Sequence, residues 1–238
     1  MVEKTWGVGT GLSSAMGQAL MRTLDPSWRM LGISRQADRE TASNVQWVRG
    51  DLADREERWI ANLLKAITAR QIVQLMGVVH AAGVVFADDM QRTTRDEIRR
   101  TLDINLAAAF RLLQVVRPWL APGASVVLVS SVDALMQSEE GPAAIYGAAK
   151  AGLVGMARQL AAEWGSLGIR VNVVLPGALS SGMGPNDEVG ERIKSRIALG
   201  RLGEPSEVAQ VISFLLGSQS AYVTGAAIPV DGGLNLHY

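Results

Sequence analysis

Short apolar runs alternate along this chain with longer stretches in which apolar residues recur at helical spacing. The runs at 5–8, 29–33, 45–49, 77–80, 125–129, 170–175 and 228–230 are strand-length blocks rich in valine, isoleucine and leucine, as suits strands buried on both faces. Between them, 14–24, 54–68, 94–120, 144–165 and 205–216 keep the period of an amphipathic helix. Strand and helix in repetition predict an α/β fold, a doubly wound sheet of about seven mainly parallel strands flanked by helices on both faces. The run at 5–8 is the poorest strand candidate, because Gly7 and Gly9 weaken it. With no linker, low-complexity tract or repeat, residues 1–238 read as one domain.

The residues that interrupt this pattern fall in phase with it. Thr10-Gly11, Ser34-Arg35, Asp51-Leu52, Ala82-Gly83, Ser130-Ser131 and Pro176-Gly177 each follow a strand run. In an open parallel sheet the carboxyl ends of the strands share one edge, and ligands bind in the crevice outside it. Loops far apart in sequence are therefore expected around one cleft.

Several of these loops have a ligand reading beside a plainer one. Thr10-Gly-Leu-Ser-Ser-Ala-Met-Gly17 precedes the first helix; small residues there admit a pyrophosphate, which the helix N–H groups and dipole attract. It is otherwise a Gly/Ser turn with Ser14 as N-cap. An acid ending the second strand would suit the ribose hydroxyl of NAD, whereas an arginine accommodates the extra phosphate of NADP. This chain has Ser34-Arg35 and no acid before Asp38, which favours NADP unless Arg35 is merely a solvated charge. Asp51 suits an adenine amino group, and is otherwise a cap for the helix at 54–68.

Tyr146-Gly-Ala-Ala-Lys150 places a phenol and an ammonium one helical turn apart, on one face of the helix at 144–165. A cation beside a tyrosine favours the phenolate, so the pair suits proton exchange with an alcohol or carbonyl near neutral pH. The alternative is a surface tyrosine with a lysine nearby.

Composition narrows the field. A formal net charge of zero with 48% hydrophobic residues argues against nucleic acid as a partner. The chain has no cysteine, which removes disulfides and thiolate chemistry, and its two histidines, His80 and His237, lack ligand-like spacing, so no metal is expected. The start lacks the basic-then-apolar pattern of a signal peptide and no apolar run is long enough to span a bilayer. A soluble cytoplasmic protein without a membrane partner is the expectation.

Taken together, the motifs resemble those of the short-chain dehydrogenase/reductase family over essentially the whole chain. The glycine loop is similar to the family's Thr-Gly-x-x-x-Gly-x-Gly, and Gly50-Asp51-Leu52 to its adenine-contact motif. His80-Ala-Ala-Gly83 stands where Asn-Asn-Ala-Gly is usual. Asn105, Val129-Ser-Ser131 and Tyr146-x-x-x-Lys150 match its active-site positions. Pro176-Gly177, Arg201-Leu-Gly-Glu-Pro205, Tyr222-Val-Thr-Gly225 and Asp231-Gly-Gly233 resemble its later signatures. The resemblance implies a Rossmann fold with Asn105, Ser131, Tyr146 and Lys150 as catalytic residues. It implies a cofactor held by Gly11, Ser13, Ser14, Met16, Ser34, Arg35, Asp51, Leu52, Ala81, Ala82, Gly83, Tyr146, Lys150, Pro176, Gly177, Leu179 and Ser181. Ser131 would polarise a carbonyl, Tyr146 supply the proton, Lys150 lower its pKa and Asn105 support a water relay. The cofactor would be NADP (NADPH), with NAD the lesser choice.

The chain also departs from the family pattern. Ala15 replaces the middle glycine of the loop without removing an N–H. His80 and Ala81 replace two asparagines; a ring N–H of His80 reaching a backbone carbonyl would make it structural. Ser181 stands for threonine, and Ser138-Glu-Glu-Gly141 lengthens the stretch between Ser131 and Tyr146.

The substrate pocket is expected from Val84, Val85, Phe86, Asp133, Leu135, Met136, Gln137 and a glycine-rich mobile lid at 178–199 containing Gly182, Gly184, Pro185 and Gly190. Arg92, Arg95, Arg99 and Arg100 read as a solvated helix face rather than a docking site for an acyl-carrier protein. Three functions fit: an NADPH-dependent reductase of a ketone, including a 3-oxoacyl thioester; a dehydrogenase of a cyclic alcohol or diol; and a non-catalytic NADP-binding regulator. The resemblance and the apolar faces of 94–120 and 144–165 imply a homo-oligomer, dimer or tetramer, with His237 and Tyr238 near a neighbour or frayed.

Overall fold

The computed structural model describes residues 4–36, 43–138, 141–181 and 187–236. Strands β1 (Thr5–Thr10), β2 (Trp28–Ser34), β3 (Val45–Arg49), β4 (Leu75–His80), β5 (Leu120–Val129), β6 (Arg170–Pro176) and β7 (Ala227–Val230) form one parallel sheet in the order β3-β2-β1-β4-β5-β6-β7. The chain leaves β1 toward β2 and β3, then crosses back to β4 and builds outward the other way. That reversal opens a crevice between the loops that follow β1 and β4.

The apolar runs are continuous because both faces of each strand are buried. Along β5, Val126 and Leu128 enter one core while Val127 and Val129 enter the other. Helices α2 (Arg58–Ala69), α4 (Ala108–Val116) and α5 (Ala144–Trp164) cover the first face, through residues such as Leu63, Leu112 and Leu153. Helices α1 (Ala15–Thr23) and α7 (Pro205–Leu216) cover the second, through Leu20 and Ile212. Strand β1, expected to be the weakest, is central and its last four residues are buried. Its glycine is a packing requirement: a Cβ on Gly7 would lie 2.6 Å from Met30 Sδ.

The predicted helix at 94–120 is broken. Helix α3 (Arg95–Leu102) begins at a Thr94–Glu97 capping box as its sequence suggests. A π-helical turn, Asp103–Ala107, then separates it from α4. Asn105 sits in that turn and donates to Thr101 O at 2.9 Å, competing with the helical backbone for the same carbonyl. Pro118, in the 3-10 turn Arg117–Trp119, ends the segment, and Leu120 already belongs to β5. Helix α2 starts at Arg58 rather than 54, because Asp54 accepts from the backbone N–H groups of Glu56 and Arg58 and holds a turn instead.

The expected lid contains helix α6 (Asp187–Lys194), with Gly190 inside it. Gly182, Gly184 and Pro185 lie outside the described residues, as do Asp38, the Glu139–Glu140 pair, His237 and Tyr238. Ile193 and Ile197 pack with Val132 and Leu234 in a small third core. No described helix is long and apolar enough to cross a membrane.

Arg170, at the start of β6, is buried beneath the carboxyl end of α7. It donates to Leu215 O at 2.9 Å, Ser220 Oγ at 2.8 Å and Gly217 O at 3.0 Å. A guanidinium there answers both the orphan carbonyls of the helix end and its dipole. Arg170→Met is expected to cost roughly 1–3 kcal/mol, the range for losing hydrogen bonds from a charged group, because Ser125 and Ser220 still donate to the carbonyls it leaves. Urea unfolding should show this as a lower midpoint at an unchanged slope.

Candidate active site

A cleft of about 590 Å³ runs along the carboxyl edge of the sheet. Every residue expected to hold a cofactor lines it, from Gly11 to Ser181, together with Ser131, Tyr146 and Lys150. Asn105 does not line it. The loops come together because all seven strands run the same way.

The β1–α1 loop meets the loop after β4 at Gly11, whose φ is +71° and where a Cβ would lie 2.4 Å from the Ala81 carbonyl carbon. Only glycine allows this approach. Ser14 caps α1: its hydroxyl accepts from Gly17 N at 3.1 Å and donates to Gly11 O at 2.8 Å. Ala15 and Met16, in the first turn of α1, stand on the cleft wall. Asp51 accepts from Ala53 N at 3.0 Å within a turn, and so does not cap α2. Arg35 follows the last residue of β2, is exposed, and makes no ion pair with a described residue.

His80, at the end of β4, is fully buried and bonds the hydroxyl of Thr10 through Nδ1 at 3.0 Å. The expected contact of a ring N–H with a backbone carbonyl is present as well, at Ile104, where its pull on the ring is weak. With the ring hydrogen on Nε2, facing the Ile104 backbone, Nδ1 accepts from the Thr10 hydroxyl, whose oxygen also accepts from Ala82 N at 3.2 Å. The Ile104 contact falls short of full hydrogen-bond geometry at Nε2. Burial, aided by the charge of Lys150, lowers the His80 pKa from 6.5 to about 3, against a smaller pull from the Ile104 backbone. The imidazole is thus a neutral brace between β1 and β4.

Around Tyr146 the contacts are tight. Tyr146 and Lys150 are both buried near the start of α5, with Nζ 5.5 Å from the phenol ring centroid. Nζ donates to Val129 O at 2.9 Å, tying α5 to the end of β5. Burial lowers the lysine pKa from 10.5 to about 8, and the carboxylate of Asp133 opposes the shift. Lys150 therefore keeps its proton at neutral pH and releases it through about pH 8. The two serines after β5 both line the cleft but divide their tasks: buried Ser130 donates to Lys150 O at 2.8 Å, while half-buried Ser131 accepts from Asp133 N at 3.2 Å. At Gly83 a Cβ would stand 2.8 Å from Asn105 Oδ1 and 3.3 Å from Lys150 Nζ.

Asn105 is fully committed to backbone. It donates to Val84 O at 2.8 Å and Thr101 O at 2.9 Å and accepts from Val84 N at 3.3 Å. Both amide hydrogens are used, so its side chain holds the loop after Gly83 against the π-turn and has none to offer a water.

On the substrate side, Val84, Val85 and Asp133 line the cleft, but Phe86, Leu135, Met136 and Gln137 do not. Phe86 lies under the guanidinium of Arg100, and Met136 packs on the third core. Ala87, Arg100, Ile104, Ser138 and Ala143 take their place. Arg100 is exposed, as a solvated face implies, and also lines the cleft. The available signal was spacing: Arg100 and Ile104 are four apart on the helical segment that carries Asn105.

Residues 29–235 match the family model adh_short_C2, described as enoyl-(acyl carrier protein) reductase. The chain belongs to the short-chain dehydrogenase/reductase family. That family comprises oxidoreductases acting on CH–OH and C=O groups with a nicotinamide cofactor. Among its relatives, a tropinone reductase homolog of Arabidopsis thaliana is 32% identical over 193 residues, 79% of this chain and 62% of the relative. A 3-oxoacyl-[acyl-carrier-protein] reductase of Thermotoga maritima is 37% identical over 172 residues, 69% of each chain. The chain thus spans somewhat less than two thirds of the plant relative's length. In three dimensions, a 4-hydroxyisoleucine dehydrogenase complexed with NADH superposes with a TM-score of 0.88 at 25% identity, covering 99% of this chain and 100% of that one.

The His80 brace predicts an acid limb. The folded ring resists protonation down to about pH 3, whereas the unfolded one titrates near 6.5. Stability from this group is therefore full above about pH 6.5 and is lost as pH falls toward 3. Between pH 7 and pH 5 the protein should lose about 2 kcal/mol that a His80→Asn variant retains. Urea midpoints of the two at both pH values measure the difference.

Proposed function

We propose that the chain is an NADPH-dependent reductase that converts a ketone to a secondary alcohol. The observation that carries this reading is the grouping of Ser131, Tyr146 and Lys150 on one cleft wall, with Arg35 at the end of β2 in the same cleft. The cofactor's fit rests on the loops after β1 and β4, which meet at Gly11 and line the cleft together. When bound, NADPH supplies the hydride. The chain supplies orientation and the proton. Ser131 donates a hydrogen bond to the ketone oxygen, and Tyr146 delivers the proton as negative charge develops there. The buried Lys150 cation stabilises the phenolate left behind. Asn105 acts as a positioning residue, holding the Val84 loop beside Gly83 rather than passing the proton itself.

The choice of NADPH over NADH rests on Arg35, whose guanidinium suits a 2′-phosphate. The names of the relatives agree on carbonyl chemistry and diverge on substrate. A 3-oxoacyl thioester is the second reading, favoured by the 37% identity to the Thermotoga reductase. Exposed Ile98 and Phe110, on α3 and α4, support the homo-oligomer as part of the same reading.

Tyr146→Phe is expected to lower kcat by about a hundredfold or more, the usual contribution of a positioned acid, with NADPH binding retained. Turnover by that variant at the parent rate on any ketone reduced by the parent would sink the mechanism. Separately, Arg35→Ala should weaken NADPH binding about tenfold or more while leaving NADH affinity nearly unchanged. Equal losses for both cofactors, by fluorescence titration, would remove the phosphate role.

A further inference from the structure

Arg100 gives the cleft a cation that the proton transfer does not use. Two of the other three arginines in the run are occupied elsewhere: Arg92 bridges Asp88 and Asp89 at 2.8 and 2.9 Å, and Arg99 pairs with Asp96. Arg100 makes no ion pair with a described residue. Its guanidinium stands 5.9 Å from the Phe86 ring centroid, and it lines the cleft with Val84, Val85 and Ala87. A guanidinium over an aromatic face is oriented by that contact and still has its edge donors available to a planar acceptor. Ile104, one turn further along, lines the same wall and is buried, whereas Arg100 is exposed. The helix therefore offers a cation at the mouth of the cleft and an apolar face further in.

We propose that the substrate is a ketone bearing a carboxylate, which Arg100 binds. An apolar segment between the carboxylate and the ketone lies against Val84, Val85 and Ile104. This assignment rests on the ketone-reductase reading above. Charge argues for a carboxylate rather than a phosphate. Among the described cleft residues, the other cations are Lys150, engaged with Val129 O, and Arg35, at the β2 end. One unshared guanidinium matches a monoanion. Asp133, the acid nearest the reacting groups, stabilises the Lys150 charge and so has its counterion already.

The test compares methyl-ketone acids, in a series beginning with levulinate, with their methyl esters and with analogues carrying a trimethylammonium group in place of the carboxylate. With NADPH, kcat/KM for the preferred acid should exceed that of its ester about tenfold or more, as charge-assisted hydrogen bonding allows. Arg100→Gln should bring the ratio near one, Arg100→Lys should restore part of it, and Arg100→Glu should turn the preference toward the trimethylammonium ketone. A merely structural arginine would not invert selectivity. Calorimetric binding of the same acids to the NADP⁺-loaded protein gives a readout independent of turnover. Should ketones be reduced with acid and ester alike, with a neutral 3-oxoacyl thioester ahead of both, or with Arg100→Glu leaving the ratio unchanged, the Arg100 assignment falls and the reductase reading stands. Failure of every acid to bind overturns the assignment as well. Acids bound through Arg100 with no ketone reduced would instead retain the site and overturn the reductase reading.

Discussion

An ammonium group held inside the protein governs the arrangement of the cleft. Burial lowers the pKa of Lys150 from 10.5 to about 8, which corresponds to a folding cost on the order of 3 kcal/mol. That cost applies in full below about pH 8 and fades as pH rises toward 10.5. The structure offsets it with a hydrogen bond to Val129 O, the facing tyrosine ring and the field of Asp133. Each partner belongs to a different segment. Holding the charge therefore fixes the end of β5, the loop after it and the start of α5 relative to one another. Ser130 adds a bond from the same loop to the Lys150 carbonyl, which commits its hydroxyl hydrogen.

The same cation reaches across to β4. It depresses the basicity of His80 and, with Asn105 Oδ1 closer still, crowds the place a Cβ would take at Gly83. Asn105 completes the enclosure from the π-turn, holding Val84 by both its backbone N–H and its carbonyl. The π-turn is thus the local irregularity that lets one helix deliver Asn105 to the β4 loop and Ile104 to the cleft. Neighbouring residues on a regular helix point about a hundred degrees apart, and a wider turn changes which of them face inward.

Much of this was legible in the chain. Apolar runs buried on both faces announce parallel strands, and loops placed in phase with them announce the cleft, so strand order was the main unknown. Ser14 could be read as an N-cap because capping depends on a few adjacent residues. Other features were not legible. Asp54 and Asp51 look alike as caps, and only the observed turn decides that neither opens α2 at 54. The helix at 94–120 was periodic enough to conceal a break that depends on Val84, about twenty residues away. Arg100 looked like any surface charge until Phe86 and the cleft wall were placed beside it. Arg170 carried no signal at all, since its partners at Leu215, Gly217 and Ser220 are distant in sequence.

By itself the sequence determined the βα succession, the loops that carry chemistry, and the pairing of Tyr146 with Lys150, because each depends on spacing within one element or at one strand end. Tertiary structure alone decided what Ser130 binds, what Asn105 holds, how deeply Lys150 is buried and which wall Arg100 joins. Those outcomes depend on solvent exclusion and on contacts between segments far apart in the chain. Local pattern cannot encode them, because the dielectric around a charge and the acceptor it finds exist only once the segments have packed.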